Sequence, residues 1–405
     1  MSVPPRIVSM VLVTPDGQLL GRLAPFAVAS PWWPDVEPIV RHVHDRLGLS
    51  VTILRMLEAE THRTEGGHVT YVAETAQPVV VEPWTGDLDD HPLRQTWARP
   101  GGPAADLKWA AAVLSEQALH LEGPPRQMKS WNLSSLWRLP ITGGQAWLKV
   151  VPPFLAHEGS LLTRLAEVAG HAVPRLLGRD EARSLMADVP GEDLFEASGS
   201  MLLRMVTLLV DLQRAWLGRV EELVELGLPD WRAPTLTEAI ARVVERTAPE
   251  LDVGERRALG GFVEGLDARF EAIAECALPD TLVHGDFHPG NLRSDGTSLV
   301  LLDWGDSGVG HPLLDRAAFL DRIPAEAVAS AAGHWDRAWR EAIPGCDPSR
   351  AAGLLDPVAA ARQAVIYRRF LDAIEPSEYP YHRSDPALWL RRAARLVQGS
   401  GQPSA

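Results

Sequence analysis

The sequence predicts an α+β fold in which a β-rich portion is followed by a mainly helical one, with a small α/β module in front of both. Three observations favour this order. Runs of β-forming residues, separated by turn residues such as those at 142–144, continue to about Val151. After Gly191 the patterns are helical, and residues 201–211 form the most apolar helix candidate. The turn-rich segment 97–104 separates the leading module from the rest.

We therefore expect an accessory module in residues 1–104, a smaller lobe in 105–190 and a larger lobe in 191–405. Because the connecting segment is short, we expect the module to pack against the smaller lobe. The elements expected in the module are a hairpin of residues 7–13 and 19–23, a helix over 35–47, and strands over 51–57 and 68–73.

Composition limits the partners. The chain has 405 residues, 46% of them hydrophobic, and a formal net charge of −14. Nucleic-acid binding draws on clustered Lys and Arg, so this charge argues against it, whereas a cationic substrate is compatible with it. Cys276 and Cys346 show no motif spacing, which indicates a reducing compartment. Arg204 and Asp211 interrupt the most apolar helix too early for a membrane span. We expect a soluble cytoplasmic protein with no membrane partner.

The most informative segment is His-Gly-Asp-Phe-His-Pro-Gly-Asn at residues 284–291, followed by Asp-Trp-Gly at 303–305. Asp286 and Asn291 have the spacing of the kinase catalytic loop. There the Asp accepts the proton of the attacking hydroxyl and the Asn holds a magnesium ion. Asp303 is the candidate for the second magnesium ligand, since Mg²⁺ takes oxygen ligands from one or two carboxylates and from phosphates. The two motifs predict a phosphoryl-transfer site.

A hairpin explains how these residues meet. Apolar runs flank Asp295-Gly296, a strong signal for a two-residue turn. That turn would place Asn291 opposite Val300, and the returning strand would bring Asp303 beside the loop.

Two alternatives stay open for the same segment. His284, Asp286 and His288 alternate, so they could share one face of a strand and bind a transition metal. Against this, Pro289-Gly290 would break such a strand, and no further His or Cys cluster completes a zinc site. The segment could also be a polar loop tied together for stability, which accounts for neither the hairpin nor Asp303.

Lysine is scarce in this chain, so a lysine inside a strand is informative. Lys149 lies in an apolar β-type run, where a lysine can contact nucleotide phosphates. Glu158 opens the following helix and is placed to be its acidic partner. The alternative is a lysine on an edge strand whose charge reaches solvent, with Glu158 complementing a helix dipole.

With Lys149, Glu158, Asp286, Asn291 and Asp303 in this order, residues 105–395 resemble the aminoglycoside phosphotransferase and choline kinase family of small-molecule kinases. The resemblance implies a bilobal, protein-kinase-like fold. It also implies that Asp286 is the catalytic base, that Asn291 and Asp303 hold magnesium, and that Lys149 with Glu158 contacts the phosphates.

Further segments extend the resemblance to the nucleotide. Residues 185–191 look like the family's hinge, which implies that Met186 and Asp188 contact the nucleotide. Residues 311–315 resemble a segment that buttresses the magnesium loop. No glycine-rich loop precedes Lys149, so Ser134 is the candidate for a phosphate donor, with an ordinary turn residue as the alternative.

The leading module resembles a degenerate Nudix domain. Residues 41–49 follow the Nudix helix pattern, but His42 and Arg46 replace metal-binding glutamates, and the upstream glutamate position falls on Trp33. A plain α/β cap module is the alternative. In either case we expect residues 1–100 alone to hydrolyse no nucleoside diphosphate derivative, because too few carboxylates remain to hold the metal.

The expected function is Mg²⁺-dependent transfer of the γ-phosphoryl group of ATP to a hydroxyl of a small molecule such as an aminoglycoside, amino sugar or amino alcohol. Candidates for substrate contacts are Asp306, His311, Glu375 and Glu378. A sugar kinase and a non-catalytic pseudokinase are the alternatives, and the intact set of motif residues argues against the second. The missing glycine loop disfavours a protein kinase. ATP and GTP are not distinguished.

Overall fold

The computed structural model describes residues 5–60 and 65–399. The chain divides into two compact units. The first extends to Gly159 and includes Leu176–Asp188 and Arg369–Ser384, and the second comprises Ser160–Arg175, Val189–Arg368 and the residues from Asp385 onwards. The chain passes from the first unit to the second between Asp188 and Val189, inside the predicted hinge. The division into three parts stays a prediction.

The first unit is rich in strands, as the sequence predicts. Its elements are β1 (Arg6–Val13), β2 (Leu19–Val28), α1 (Glu37–Leu47), β3 (Thr52–Ala59), β4 (Gly67–Glu74), α2 (Gly102–Glu116), β5 (Arg126–Trp131), β6 (Ser134–Ile141), β7 (Gly144–Val150), the start of α3 (His157–Ala169), β8 (Leu176–Arg179) and β9 (Arg183–Ala187). They form a four-stranded sheet in the order β2-β1-β4-β3 and a five-stranded sheet in the order β5-β6-β7-β9-β8.

Alternation of side chains builds the core of the five-stranded sheet. Trp137, Leu139 and Ile141 on β6 are buried at every second position, as a strand with one inward face requires. Leu114 of α2 packs in the same core, and so does Trp97 from the segment expected to be a linker. That segment therefore also contributes to the packing of the smaller lobe.

Backbone-directed hydrogen bonds join the two sheets of this unit. The Gln127 side chain accepts from Ile53 N at 2.8 Å and donates to Ile53 O at 2.7 Å. Val36 N also donates to Met128 O at 3.1 Å. Buried hydrogen bonds of this kind fix the position of one sheet against the other. The prediction that the leading module packs against the smaller lobe is therefore confirmed.

The Nudix resemblance is not confirmed. Trp33, at the position of the motif's upstream glutamate, is fully buried, and its Nε1 donates to Gly66 O at 2.8 Å. His42 stacks on Phe26 with 4.4 Å between ring centroids. These residues pack the module instead of presenting metal ligands.

The second unit is mainly helical. Its elements are the remainder of α3, β10 (Glu192–Asp193), α4 (Ser200–Arg214), α5 (Val220–Glu225), α6 (Ala233–Thr247), α7 (Val253–Glu264), α8 (Leu266–Ala274), β11 (Thr281–Val283), β12 (Leu292–Ser294), β13 (Leu299–Leu301), β14 (Gly308–Gly310), α9 (Arg316–Leu320), α10 (Ala325–Ala342), most of α11 (Pro348–Ala373) and α12 (Asp385–Gly399).

Helix α4 is the buried helix that the apolar run predicts. Leu202, Met205 and Leu209, at helical spacing, are buried along one face. Within residues 5–60 and 65–399, no helix combines the length and the apolar character needed to cross a bilayer.

The hairpin of β12 and β13 forms, but the predicted register is wrong by two residues. Leu292 pairs with Leu301, and Leu302 N donates to Asn291 O at 2.8 Å. Asn291 therefore lies opposite Leu302, and the turn has four residues. The Asp295 carboxylate stabilises this longer turn by accepting from the backbone N–H groups of Thr297 and Ser298 at 2.9 and 2.8 Å.

Candidate active site

The loop between β11 and β12 is held in one conformation by its own side chains. Gly285 has a φ of +92°, and a Cβ there would lie 2.0 Å from the Asp306 carbonyl oxygen, so a side chain is excluded. His284 is fully buried; its Nδ1 accepts from Asp286 N at 3.3 Å, and its Nε2 donates to Leu302 O at 3.0 Å. Burial lowers the pKa of His284, so the ring is neutral and orients the loop.

The alternative of a transition-metal site is not supported. Both ring nitrogens of His284 already have backbone partners, Asp286 N and Leu302 O. Moreover, the described residues contain no group of three or more His, Cys, Asp or Glu side chains that could hold a metal ion.

Asp286 is surrounded by cationic or cation-forming groups. Its side chain is 35% exposed, His288 Nε2 lies 3.4 Å from Oδ2, and Arg322 Nη1 lies 3.5 Å from Oδ1. Burial alone would raise the pKa of Asp286. The hydrogen bond and charge of His288, with the charge of Arg322, outweigh burial and lower the pKa to about 2. The carboxylate is therefore ionised at neutral pH.

Asn291 and Asp303 lie beside this carboxylate. Asn291 Nδ2 donates to the Asp286 carbonyl at 2.9 Å and to its Oδ2 at 3.2 Å. The amide oxygen of Asn291 accepts no hydrogen bond from any described residue, which leaves it for another ligand. Because Leu302 pairs with Asn291, the next residue, Asp303, follows directly beside it. Asp303 is exposed and has a φ of +61°, an uncommon conformation for a residue with a side chain and one that recurs at active sites.

Asp315 fixes the backbone that precedes Asp286. This fully buried carboxylate accepts from His284 N at 2.9 Å, from Gly285 N at 2.8 Å and from Gln213 Nε2 at 3.2 Å. The segment 311–315 thus supports the loop through its last residue.

The sequence reasoning missed a second support, from α11. Arg362 is fully buried, and its Nη2 donates to the Gly285 carbonyl at 3.3 Å, while Gln363 Nε2 lies 3.4 Å from the same oxygen. Burial lowers the pKa of Arg362, and the charges of Asp315, Asp306 and Asp286 counter this. No sequence motif could have indicated Arg362, because it lies far along the chain from the loop it contacts.

In the first unit, Lys149 and Glu158 form the predicted ion pair. Lys149 Nζ lies 2.7 Å from Glu158 Oε1, and the two side chains are 13% and 4% exposed. A pair this buried requires close geometry to offset desolvation. This geometry favours a Lys149 side chain fixed by Glu158 over one that extends from an edge strand into solvent.

The other nucleotide candidates lie on the same five-stranded sheet. Met186 pairs with Trp147 on β7. Trp147 Nε1 donates to Asp188 Oδ1 at 2.7 Å, at the end of this unit. Ser134 is buried at the start of β6, and its hydroxyl accepts from Trp131 Nε1 at 3.0 Å.

The structure separates the four substrate candidates. Asp306 is half-buried, and its backbone adjoins Gly285. His311 is buried, and its Nδ1 accepts from Leu313 N at 3.2 Å. In the β11–β14 ribbon, Gly310 pairs with Thr281 and Gly308 with Val283, so His311 follows the end away from Asp286. This placement argues against a direct role of His311 with the reacting hydroxyl.

Glu375 and Glu378 are enclosed in the first unit. Glu375 lies 2.8 Å from Arg94 Nη2 and 3.4 Å from Arg55 Nε. Glu378 accepts from Met56 N at 3.1 Å. Both glutamates are buried, at 6% and 4% exposure. Because their partners lie inside the unit, we do not retain them as substrate ligands, and the expectation drawn from their proline-bent segment is corrected.

Comparison with known proteins places these residues in a family. The model of a family described as the phosphotransferase enzyme family matches residues 134–353, more than half of the chain. The match contains Lys149, Glu158 and the whole of the loop described above. A search of curated protein sequences gives no significant match.

Solved structures are similar in fold at low identity. One is a type I macrolide 2'-phosphotransferase, with 18% identity and a TM-score of 0.50, covering 69% of this chain and 97% of the other. Another is a proposed aminoglycoside phosphotransferase of Ralstonia eutropha JMP134, with 16% identity and a TM-score of 0.50, covering 73% and 98%. These similarities support the α+β, protein-kinase-like fold, and at this identity they show nothing further.

Proposed function

We propose that this chain, which belongs to the phosphotransferase enzyme family and is a small-molecule phosphotransferase, uses ATP and Mg²⁺ to phosphorylate a hydroxyl group of an aminoglycoside, amino sugar or amino alcohol. The observation that carries the proposal is the ionised Asp286 carboxylate, with Asn291 bonded to it and Asp303 next along the paired backbone. Phosphoryl transfer needs little covalent chemistry from the protein, so positioned charges of this kind account for most of its catalysis.

In the proposed reaction, Asp286 accepts a hydrogen bond from the substrate hydroxyl and orients its oxygen towards the γ-phosphorus. The new P–O bond forms as the bond to the β–γ bridging oxygen breaks, ADP leaves, and the hydroxyl proton passes to Asp286. A carboxylate with a pKa of about 2 is a weak base. It therefore serves first to orient the hydroxyl and receives the proton as the attacking oxygen becomes acidic.

The donor set fits magnesium. Asn291 offers an amide oxygen without a described partner, and Asp303 offers a carboxylate, which are hard oxygen ligands of the kind Mg²⁺ prefers. These two residues would hold the ion against the phosphates, where it would neutralise charge that develops in transfer. Lys149, held by Glu158, would contact the phosphates, and Ser134, Met186 and Asp188 would contact the nucleotide.

The substrate class rests on a single retained residue. Asp306 is the retained candidate for a contact to a cationic or hydroxylated acceptor. A sugar kinase is the alternative.

The test measures phosphorylated product by ³¹P NMR and nucleotide turnover with a panel of aminoglycosides, amino sugars, choline-like alcohols and neutral sugars, with ATP and GTP in parallel. On the accepted substrate we expect Asp286→Asn and Asp286→Ala to lower kcat by about 10²–10⁴-fold, with nucleotide affinity nearly unchanged. Asp267→Asn, at an exposed carboxylate of α8, is the matched control and should keep full activity. Near wild-type turnover by both Asp286 variants would refute the assignment.

A further inference from the structure

A cavity of about 420 Å³ lies in the second unit, apart from the catalytic loop. Its walls come from α6 and the two residues before it, α8, the segment that enters β11, segment 311–315 and α11. They are mostly apolar, with the rings of Trp231 and Phe270 and the side chains of Leu236 and Leu355 among them. The volume falls within the range of pockets that hold small organic molecules, about 300–1,000 Å³.

One carboxylate in this wall has no hydrogen bond or ion pair among the described residues. Asp280 is half-buried and lines the cavity. Its removal from water raises its pKa, and the charge of Arg232 opposes this only in part. The cation in the same wall, Arg232, is already engaged, because it lies 2.8 Å from Asp230 and 2.6 Å from Glu221. A carboxylate in an apolar wall is costly unless a cation meets it.

We propose that this cavity binds a small hydrophobic amine, whose apolar body fills the space between α6 and α8 and whose ammonium group pairs with Asp280. This site is separate from the proposed phosphoryl-transfer site. Its far wall includes His311, at the end of the β11–β14 ribbon that points away from Asp286.

The cavity is connected to the catalytic loop through a short path. His311 accepts from Leu313 N and begins the turn that ends at Asp315, and Asp315 holds the backbone N–H groups of His284 and Gly285. A ligand that packs against His311 stabilises this turn, and thereby the loop. The site can therefore act on the enzyme's activity without contacting its substrate.

The test uses 2-phenylethylamine and its neutral analogue 2-phenylethanol as probes, with affinities measured by calorimetry. For the wild-type protein we expect the amine to bind at least about tenfold more tightly than the alcohol. A tenfold ratio corresponds to about 1.4 kcal/mol, which we attribute to the ion pair between the ammonium group and Asp280. Asp280→Asn should remove this preference. Ala274→Phe, at an exposed position that lines the cavity, should weaken both probes, whereas Ala268→Phe, at an exposed position of the same helix away from the cavity, should weaken neither.

Two further measurements separate this site from the active site. Asp286→Ala should leave the affinity for the amine unchanged, so the result does not depend on the proposed reaction. The amine should also slow hydrogen exchange at the amides of His284 and Gly285 in the wild-type protein. If neither probe binds, or if the amine binds equally well to the wild type, Asp280→Asn and Ala274→Phe, the proposal is wrong.

Discussion

The buried carboxyl group of Glu378 makes the stability of the first unit depend on pH. Its removal from water, and then the charge of Glu375, raise its pKa from an ordinary value of 4.5 to about 8, although the hydrogen bond from Met56 N and the charges of Arg55 and Arg94 oppose this. The folded protein therefore binds a proton that the unfolded chain releases. Because the pKa of Glu378 is higher in the folded state, proton binding at Glu378 contributes its full stabilisation below pH 4.5. This stabilisation is lost as the pH rises towards 8.

The expected size follows from the shift. Each pKa unit corresponds to about 1.4 kcal/mol, so an increase from 4.5 to about 8 sets an upper limit of about 5 kcal/mol. Local rearrangement reduces this, and we expect about 2–4 kcal/mol. Glu378→Gln keeps an oxygen that can accept from Met56 N and removes the titration. The variant and the wild type should be equally stable near pH 4.5, and the variant should be more stable by this amount at pH 8.

The assay is urea unfolding at several pH values, followed by tryptophan fluorescence. The quantity of interest is the difference in unfolding free energy between variant and wild type, because titrations common to both proteins cancel in it. Glu116→Gln, at an exposed position of α2, is the control and should show no such difference. A constant difference from pH 4.5 to 8 would refute the inferred state of Glu378.

Three further outcomes are expected at the catalytic loop. Asp303→Ala should abolish the Mg²⁺-dependent part of ATP affinity, measured by titration calorimetry with and without the metal. An unchanged metal dependence would mean that other residues hold the ion. Arg322→Ala removes a cation 3.5 Å from Asp286 and should raise the pKa of that carboxyl. The acidic limb of the plot of kcat against pH should therefore move to higher pH. Gly285→Ala should lower stability by several kcal/mol in thermal unfolding, since its Cβ would meet the Asp306 carbonyl at 2.0 Å; a fully stable variant would show that the loop can move.

The parts that the sequence predicts correctly depend on nearby residues. Strand β11, the helix carrying Glu158 and the buried helix α4 each follow from periodicity within a short segment. The hairpin shows the limit of this reasoning. Asp295-Gly296 does mark a turn, but Asp295 also collects hydrogen bonds from Thr297 and Ser298, and this local competition moved the register by two residues.

The parts that could not be predicted depend on residues far apart in the chain. Glu375 reads as an exposed acidic residue in a proline-bent segment, yet it pairs with Arg94, 281 residues earlier. No spacing rule connects such positions, because only the completed fold brings them within reach. The same holds for Arg362 and Gly285, 77 residues apart.

The contacts around Gly285 also indicate why the fold tolerates a costly residue. Two nitrogens of the buried Arg362 guanidinium, Nε and Nη1, have no hydrogen-bond partner among the described residues, and an incompletely bonded charge of this kind destabilises a core. Asp315 holds the N–H of Gly285 and Arg362 holds its carbonyl, so both sides of the residue before Asp286 are fixed. An error of about 1 Å in the position of a reacting group can cost about 10²-fold in rate. The position of Arg362 is therefore better explained by its hold on the loop than by any gain in stability.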